Sequence, residues 1–231
     1  MPRKMVVALV LILSVIGACA IAFYYHYIGT YYVITEDARV AADTVTVTPE
    51  ISGKLLEWNV EEGDFVKAGQ PLGRQDLASV MTSSAVSPQT MGAVAGVMAD
   101  KAVIKAPISG QVILSKAVVG QLVAPGTQLA VIADTDNLYI SANIKETVVE
   151  KVKPGQVVDV SIDAYPGRKF TGRVVSVGRA TTSTFSLLPS QNTSGNFTKV
   201  TQVIPVKIQL EDAEGVDLMV GMSVKVRIHV K

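Results

Sequence analysis

Ile51-Ser52-Gly53 opens a stretch that runs to Asp76, and Ile108-Ser109-Gly110 opens a second that runs to Ala133. Laid one on the other at a constant offset of 57 residues (110 − 53), the two need no gap. Ile51/Ile108, Ser52/Ser109, Gly53/Gly110, Gly63/Gly120, Val66/Val123, Gly69/Gly126 and Leu72/Leu129 then coincide. The glycine pairs carry most weight, because glycine permits turns at positive φ without a steric cost. Between them the residues are mostly β-branched or aliphatic, as in Lys54-Leu55-Leu56 and Gln111-Val112-Ile113-Leu114. Each copy reads as short strands punctuated by tight turns, and neither could bury a core alone. The two copies are therefore expected to fold onto each other as one small β module.

The chain around this repeat has 231 residues, enough for one or two domains with a real core. Its 21 Lys+Arg against 20 Asp+Glu leave no basic surface for nucleic acid. Aromatic residues are few, and Val, Ile and Thr abundant, which favours β structure outside the N-terminus. The single cysteine, Cys19, excludes a disulfide framework and a cysteine metal cage within one chain.

Upstream, Arg3 and Lys4 precede an uncharged run of twenty-one residues from Met5 to Tyr25. As a helix this run is about 31 Å long, close to the roughly 30 Å hydrocarbon core of a bilayer. Tyr24, Tyr25, Tyr27, Tyr31 and Tyr32 cluster at its far end, where amphipathic rings favour the interface. Membrane lipid is the expected partner of residues 5–25, with the N-terminus cytoplasmic and the rest exported. Gly17-Ala18-Cys19-Ala20 offers the alternative of a cleaved or lipidated leader. Against it, the apolar run continues through Ile21, Ala22 and Phe23, where a mature lipoprotein turns polar.

Between the copies, Leu77 to Lys101 is rich in Ala, Ser, Val, Met and Gly. Pro88, Gly92 and Gly96 interrupt any long helix there, and no heptad is sustained. Downstream, Val158, Val160 and Ile162 alternate with Asp159, Ser161 and Asp163 at a period of two. Further strands are expected at Asn137–Ile140, Phe170–Val177, Val203–Leu210 and Ser223–Val230, with a short helix from Lys145 stopped by Pro154-Gly155. This spacing of strands and turns predicts a small antiparallel barrel.

Candidate chemistry is sparse. His26 and His229 have no partner motif, and His229 falls on the solvent face of the last strand with Ser223, Lys225 and Arg227. No Gly-x-Ser-x-Gly elbow and no P-loop is present. Glu61, Glu62 and Asp64 read as a solvated turn rather than a hard-cation site, which needs about six converging oxygens. Asn192 and Asn196 fall in glycosylation sequons, a short pattern with many chance matches. No cofactor and no metal is expected.

Two resemblances extend this reading. The paired half-motifs resemble the biotinyl/lipoyl carrier fold, in which a lysine on a tight hairpin between the halves bears the prosthetic group. Asp100-Lys101-Ala102 makes Lys101 the candidate for such a group, although some twenty-five residues separate the halves. A split module of this kind, behind one span and ahead of a barrel, resembles membrane fusion (periplasmic adaptor) proteins of the HlyD family. Within that family the chain is most similar to the EmrA-type multidrug resistance subunits. Thr35-Glu36-Asp37-Ala38-Arg39-Val40 is similar to the start of the extracytoplasmic part of that group. The irregular run holding Phe185, Leu187, Leu188, Pro189, Gln191, Asn192, Gly195 and Asn196 resembles a signature loop of its barrel.

The expected fold is mainly β: a transmembrane helix, a split lipoyl/biotinyl-like module and a small antiparallel barrel. Residues 1–32 would form a cytoplasmic stub and anchor, 33–76 a leading strand and first half-module, and 77–101 an insertion. Residues 102–134 would complete the module and 135–231 form the barrel. Gly53, Gly63, Gly69, Gly110, Gly120 and Gly126 would be its structural turns. The resemblance implies a non-enzymatic adaptor working with a polytopic inner-membrane transporter of the major facilitator superfamily. It also implies a homo-oligomer built through the lipoyl-like module. Twenty-five residues folded back on themselves reach only about 20 Å, so docking on an outer-membrane channel is not expected. A lipoylated or biotinylated carrier using Lys101, and a stand-alone envelope scaffold, are the alternatives.

Overall fold

The computed structural model describes residues 3–76, 91–185, 201–211 and 215–231. They form two compact units, one of residues 42–138 and one joining residues 1–41 to 139–231.

The second of these units starts with helix α1, Arg3–Tyr31, which outruns the apolar stretch by a turn and a half. Leu11, Ile12, Val15, Ile16, Ile21 and Phe23 are all exposed, so from Leu11 to Tyr24 the helix is apolar all round with no protein over it. That pattern suits lipid rather than a core. Tyr27 and Tyr31, one turn apart, stack with ring centroids 4.5 Å apart.

Tyr32 begins strand β1, Tyr32–Ala41, immediately after the helix. The strand was expected to lead into the first half-module; instead it is a stave of the barrel. It pairs antiparallel with β10 (Tyr139–Lys145) on one side and β14 (Ser223–His229) on the other. The other staves are β11 (Val157–Ile162), β12 (Phe170–Val177) and β13 (Val203–Leu210). The closed order is β1-β10-β13-β12-β11-β14. Among the described residues the strands downstream of residue 135 number five, so closure without an exposed edge needs β1. Val33, Val40, Ile140, Ile144, Val158, Val160, Phe170, Ile208, Val226 and Ile228 fill the interior. Alternate residues face out, as the period of two in β11 foretold.

The 42–138 unit contains two four-stranded sheets. One has the order β2 (Thr44–Val47), β9 (Ala130–Ala133), β7 (Gly110–Ser115), β4 (Phe65–Val66). The other runs β6 (Val103–Lys105), β5 (Pro71–Gln75), β3 (Gly53–Trp58), β8 (Leu122–Val123). Helix α2, Met91–Lys101, precedes β6 and passes through Gly92 and Gly96, which were expected to interrupt any long helix; at eleven residues it is a short one. Glycine in a helix costs only about 1 kcal/mol, so two of them weaken a helix without forbidding it. Residues 77–90, including Pro88, lie outside the described residues.

The repeat governs this unit in detail. Leu55, Val66, Leu72 and their counterparts Val112, Val123, Leu129 form one buried core. The β3–β5 pairs Leu55↔Gln75, Glu57↔Arg74 and Trp58↔Gly73 recur in β7–β9 as Val112↔Ile132, Leu114↔Val131 and Ser115↔Ala130, bulge included. The β6 pairing Gly73↔Ile104 likewise matches Val47↔Ala130 of β2. The internal symmetry thus extends one strand upstream of Ile51.

Candidate functional site

The two half-modules exchange strands. β4 of the first pairs with β7 of the second, Phe65 opposite Gln111, while β8 of the second pairs with β3 of the first, Leu122 opposite Lys54. Backbone bonds repeat the exchange: Gly63 N donates to Val112 O at 2.8 Å and Gly120 N to Leu55 O at 2.7 Å. Each half thus supplies a carbonyl that a turn of the other needs, which favours their folding together.

The six glycines divide into two kinds. Gly63, Gly69, Gly120 and Gly126 adopt φ of +80° to +100°, as their turns require. Gly53 does not adopt positive φ, and the turn expected there is absent. A Cβ on Gly53 would stand 2.9 Å from Asp76 O, and one on Gly110 would stand 2.0 Å from Ala133 O. Asp76 and Ala133 are themselves equivalent by the repeat, so both glycines serve the same close approach of backbone. On the outer faces, Phe65 is 69% exposed and its counterpart Leu122 is 73% exposed. Leu56 and Ile113 are a second equivalent pair of exposed aliphatics.

Lys101 is the last residue of α2, not the tip of a hairpin. Its Nζ lies 3.5 Å from Glu50 Oε2, beside Lys105 Nζ, which donates to Asp100 Oδ1 at 2.6 Å. These side chains border an open cleft of about 300 Å³ that Thr46, Val103 and Pro107 also line. A swinging arm needs its lysine on a projecting tight turn; here a helix end and an ion pair hold it against the body of the module. This geometry lends the carrier reading no support.

The acidic turn is committed to the backbone. Asp64 Oδ2 accepts from Glu61 N at 2.8 Å, and Glu62 Oε1 accepts from Ser115 N at 3.0 Å. Among the described residues no group of three or more His, Cys, Asp or Glu is arranged to hold a metal. Cys19 is exposed on α1. Phe185 ends a 3-10 turn, Thr182–Phe185. Leu187, Leu188, Pro189, Gln191, Asn192, Gly195 and Asn196 lie outside the described residues.

Where α1 meets the barrel, sequence reasoning missed a cluster of contacts. Lys151 Nζ donates to Gly29 O at 2.9 Å, placing a cation on the carbonyl end of the helix. Val230 N donates to Tyr31 O at 3.0 Å, and the Lys231 ammonium sits 5.6 Å from the Tyr31 ring centroid. His229, expected to be merely solvated, lies 2.9 Å from Asp159 Oδ2 and meets the Tyr32 ring edge-on at 5.0 Å. Farther along β1, the Lys225 ammonium hydrogen-bonds Glu36 and holds its carboxyl below the usual range. Pairings across so many residues leave no local signal in a sequence.

Comparison with known proteins covers both units. Residues 43–135 match the family described as RND MFP, barrel-sandwich hybrid domain, and residues 138–228 match the YknX-like beta-barrel domain. YhbJ of Bacillus subtilis (strain 168), provisionally named an efflux system component, is 37% identical over 200 residues, covering 87% of this chain and 80% of that one. The colistin resistance protein EmrA of Acinetobacter baumannii is 40% identical over 129 residues, 55% of this chain but only 36% of its own length. Among solved structures, a MacA-MexA chimera containing the Pseudomonas aeruginosa MexA α-hairpin superposes with a TM-score of 0.67 at 21% identity, over 87% of this chain and 82% of that one.

Proposed function

Because the chain belongs to the membrane fusion protein family, in its EmrA-type branch, we propose that it is a membrane-anchored, non-enzymatic adaptor of an efflux system. It couples a polytopic inner-membrane transporter to an extracytoplasmic exit path. The observation that carries this reading is the order of parts along the chain. An all-round apolar helix runs without a linker into the first barrel stave. A sandwich built from two exchanged halves then interrupts the barrel, which is completed afterwards. Each described part of that order suits a scaffold that holds other molecules in position.

In this reading the transporter belongs to the major facilitator superfamily and supplies both substrate selection and energy. Arg3 and Lys4 keep the N-terminus cytoplasmic, so the sandwich and the barrel stand outside the membrane. Self-association uses the outer faces of the sandwich, where Phe65 and Ile113 expose one apolar patch and Leu122 and Leu56 its pseudo-symmetric counterpart. Two such patches on one body suit head-to-tail packing into a ring.

Crosslinking of the full chain in native membranes, followed by identification of the captured protein, tests the proposal. A polytopic transporter is the expected partner, and deleting the gene is expected to sensitise cells to at least one lipophilic compound. Capture of no transporter, together with unchanged susceptibility across a broad compound panel, overturns it.

A further inference from the structure

The geometry points to a second lipid contact beyond the apolar span: the helix-side rim of the barrel is a binding site for anionic phospholipid headgroups. This inference rests on the reading of α1 as a membrane anchor. The helix ends at Tyr31 and β1 begins at Tyr32, so only the last turn and a half of helix separates the apolar run from the barrel. The barrel end carrying Tyr32 is therefore held at the bilayer surface. Strand register identifies what shares that end: His229 lies opposite Tyr32, and Lys145 is the last residue of β10, after which the chain turns into the β10–β11 connection.

Among the described residues, the β10–β11 connection and the last residue bring Lys145, Lys151, Lys153 and Lys231 to this part of the rim, against two carboxylates of that connection, Glu146 and Glu150. Asp159 is turned to His229. Lys151 is fixed at the depth of the last helical turn by its bond to Gly29 O, and Lys231 lies over the Tyr31 ring. Beside them a cleft of about 220 Å³ opens between helix and barrel, lined by Gly29, Tyr32, Val33, Ile144, Lys145 and Val148. Lys145 is the one charged group among the described residues lining it. Apolar walls with an ammonium beside them match the region where a phospholipid passes from acyl chain through glycerol to phosphate. Charge complementarity and continuity with the apolar helix both select a lipid of the host bilayer as occupant. A basic side chain near an anionic surface contributes about 1 kcal/mol, which corresponds to about a fivefold change in retention per lysine.

The full chain purified in mixed micelles of phosphatidylglycerol and phosphatidylcholine, analysed by native mass spectrometry, tests this. Preferential retention of phosphatidylglycerol is expected, weakening as salt is raised. Lys145→Gln/Lys153→Gln/Lys231→Gln, which spares the Lys151 helix contact, is expected to lower that preference by about a hundredfold at unchanged melting temperature. Lys169→Gln, just before β12, is expected to leave it intact. Equal retention of the two lipids by the unmodified chain, or an undiminished preference in the triple variant, overturns the inference. So does complete competition by millimolar inorganic phosphate, which would mark a soluble-anion site, or a preference seen only when an acidic partner protein co-purifies. Failure of the anchor reading is separately visible: the chain would then stay soluble and monodisperse without detergent.

Discussion

Gly110 shows how one residue type can answer two different physical demands. Its missing Cβ leaves room for Ala133 O at a φ of +154°, whereas the turn glycine Gly126, at φ +92°, has nothing within 4 Å of where a Cβ would stand. Gly126→Ala thus meets only backbone strain and is expected to cost about 1–2 kcal/mol. Gly110→Ala must displace a backbone carbonyl in the centre of the module and is expected to cost about 3 kcal/mol or more. Denaturant melts of the two variants should rank in that order. The sequence marked both positions as special but could not separate a turn from a close approach. Glu36 makes a different point. The hydrogen bond from Lys225, and then its charge, depress the carboxyl's pKa, so the ionised pair favours the folded state above the ordinary carboxylate pKa. That contribution is lost as pH falls through the lowered value in the folded protein. Glu36 is fully exposed, so the effect should be small and screened by salt. An NMR titration should find Glu36 below the usual carboxylate range, and Lys225→Met should return it there.

At the level of elements, the exchanged strands fix what can fold alone. β4 and β8 are each two residues long and pair only with the opposite half. A chain of residues 42–138 is therefore expected to fold cooperatively, whereas residues 42–76 or 102–138 alone should give disordered circular dichroism spectra. Folding of either half by itself would show that the exchange is dispensable. β1 is the corresponding element of the barrel. Deleting residues 32–41 from the full chain leaves β10 and β14 with unpaired edges, and aggregation during purification is the expected outcome. β1 was hard to assign to the barrel because it stands about a hundred residues from β10 and its alternation is broken by a bulge between Thr35 and Ala38.

For the whole molecule, the proposed adaptor role predicts an intact mass equal to that of the unmodified sequence, with no lipoyl or biotinyl adduct on Lys101. It also predicts a concentration-dependent oligomer that Phe65→Glu/Leu122→Glu disperses without lowering the melting temperature, since both side chains are solvent-exposed in the single chain. Intact mass spectrometry reads the first, size-exclusion chromatography with light scattering the oligomer, and a thermal melt the stability of the variant. Much of this architecture was legible early. The 57-residue offset announced a paired β module, the run from Met5 to Tyr25 announced a span, and the period of two announced the barrel strands. These signals are local or strictly periodic, so the pattern of apolar and glycine residues determines them directly. What only the tertiary structure decided are the pairings between distant segments. It assigned β1 to the barrel, extended the repeat to Thr44 and Lys101, placed Lys101 on a helix end, and gathered Lys151 and Lys231 around the end of α1. The physical reason is that strand partners and cation positions are chosen by which surfaces remain unsatisfied once the whole chain has closed, and neighbouring residues carry no record of that choice.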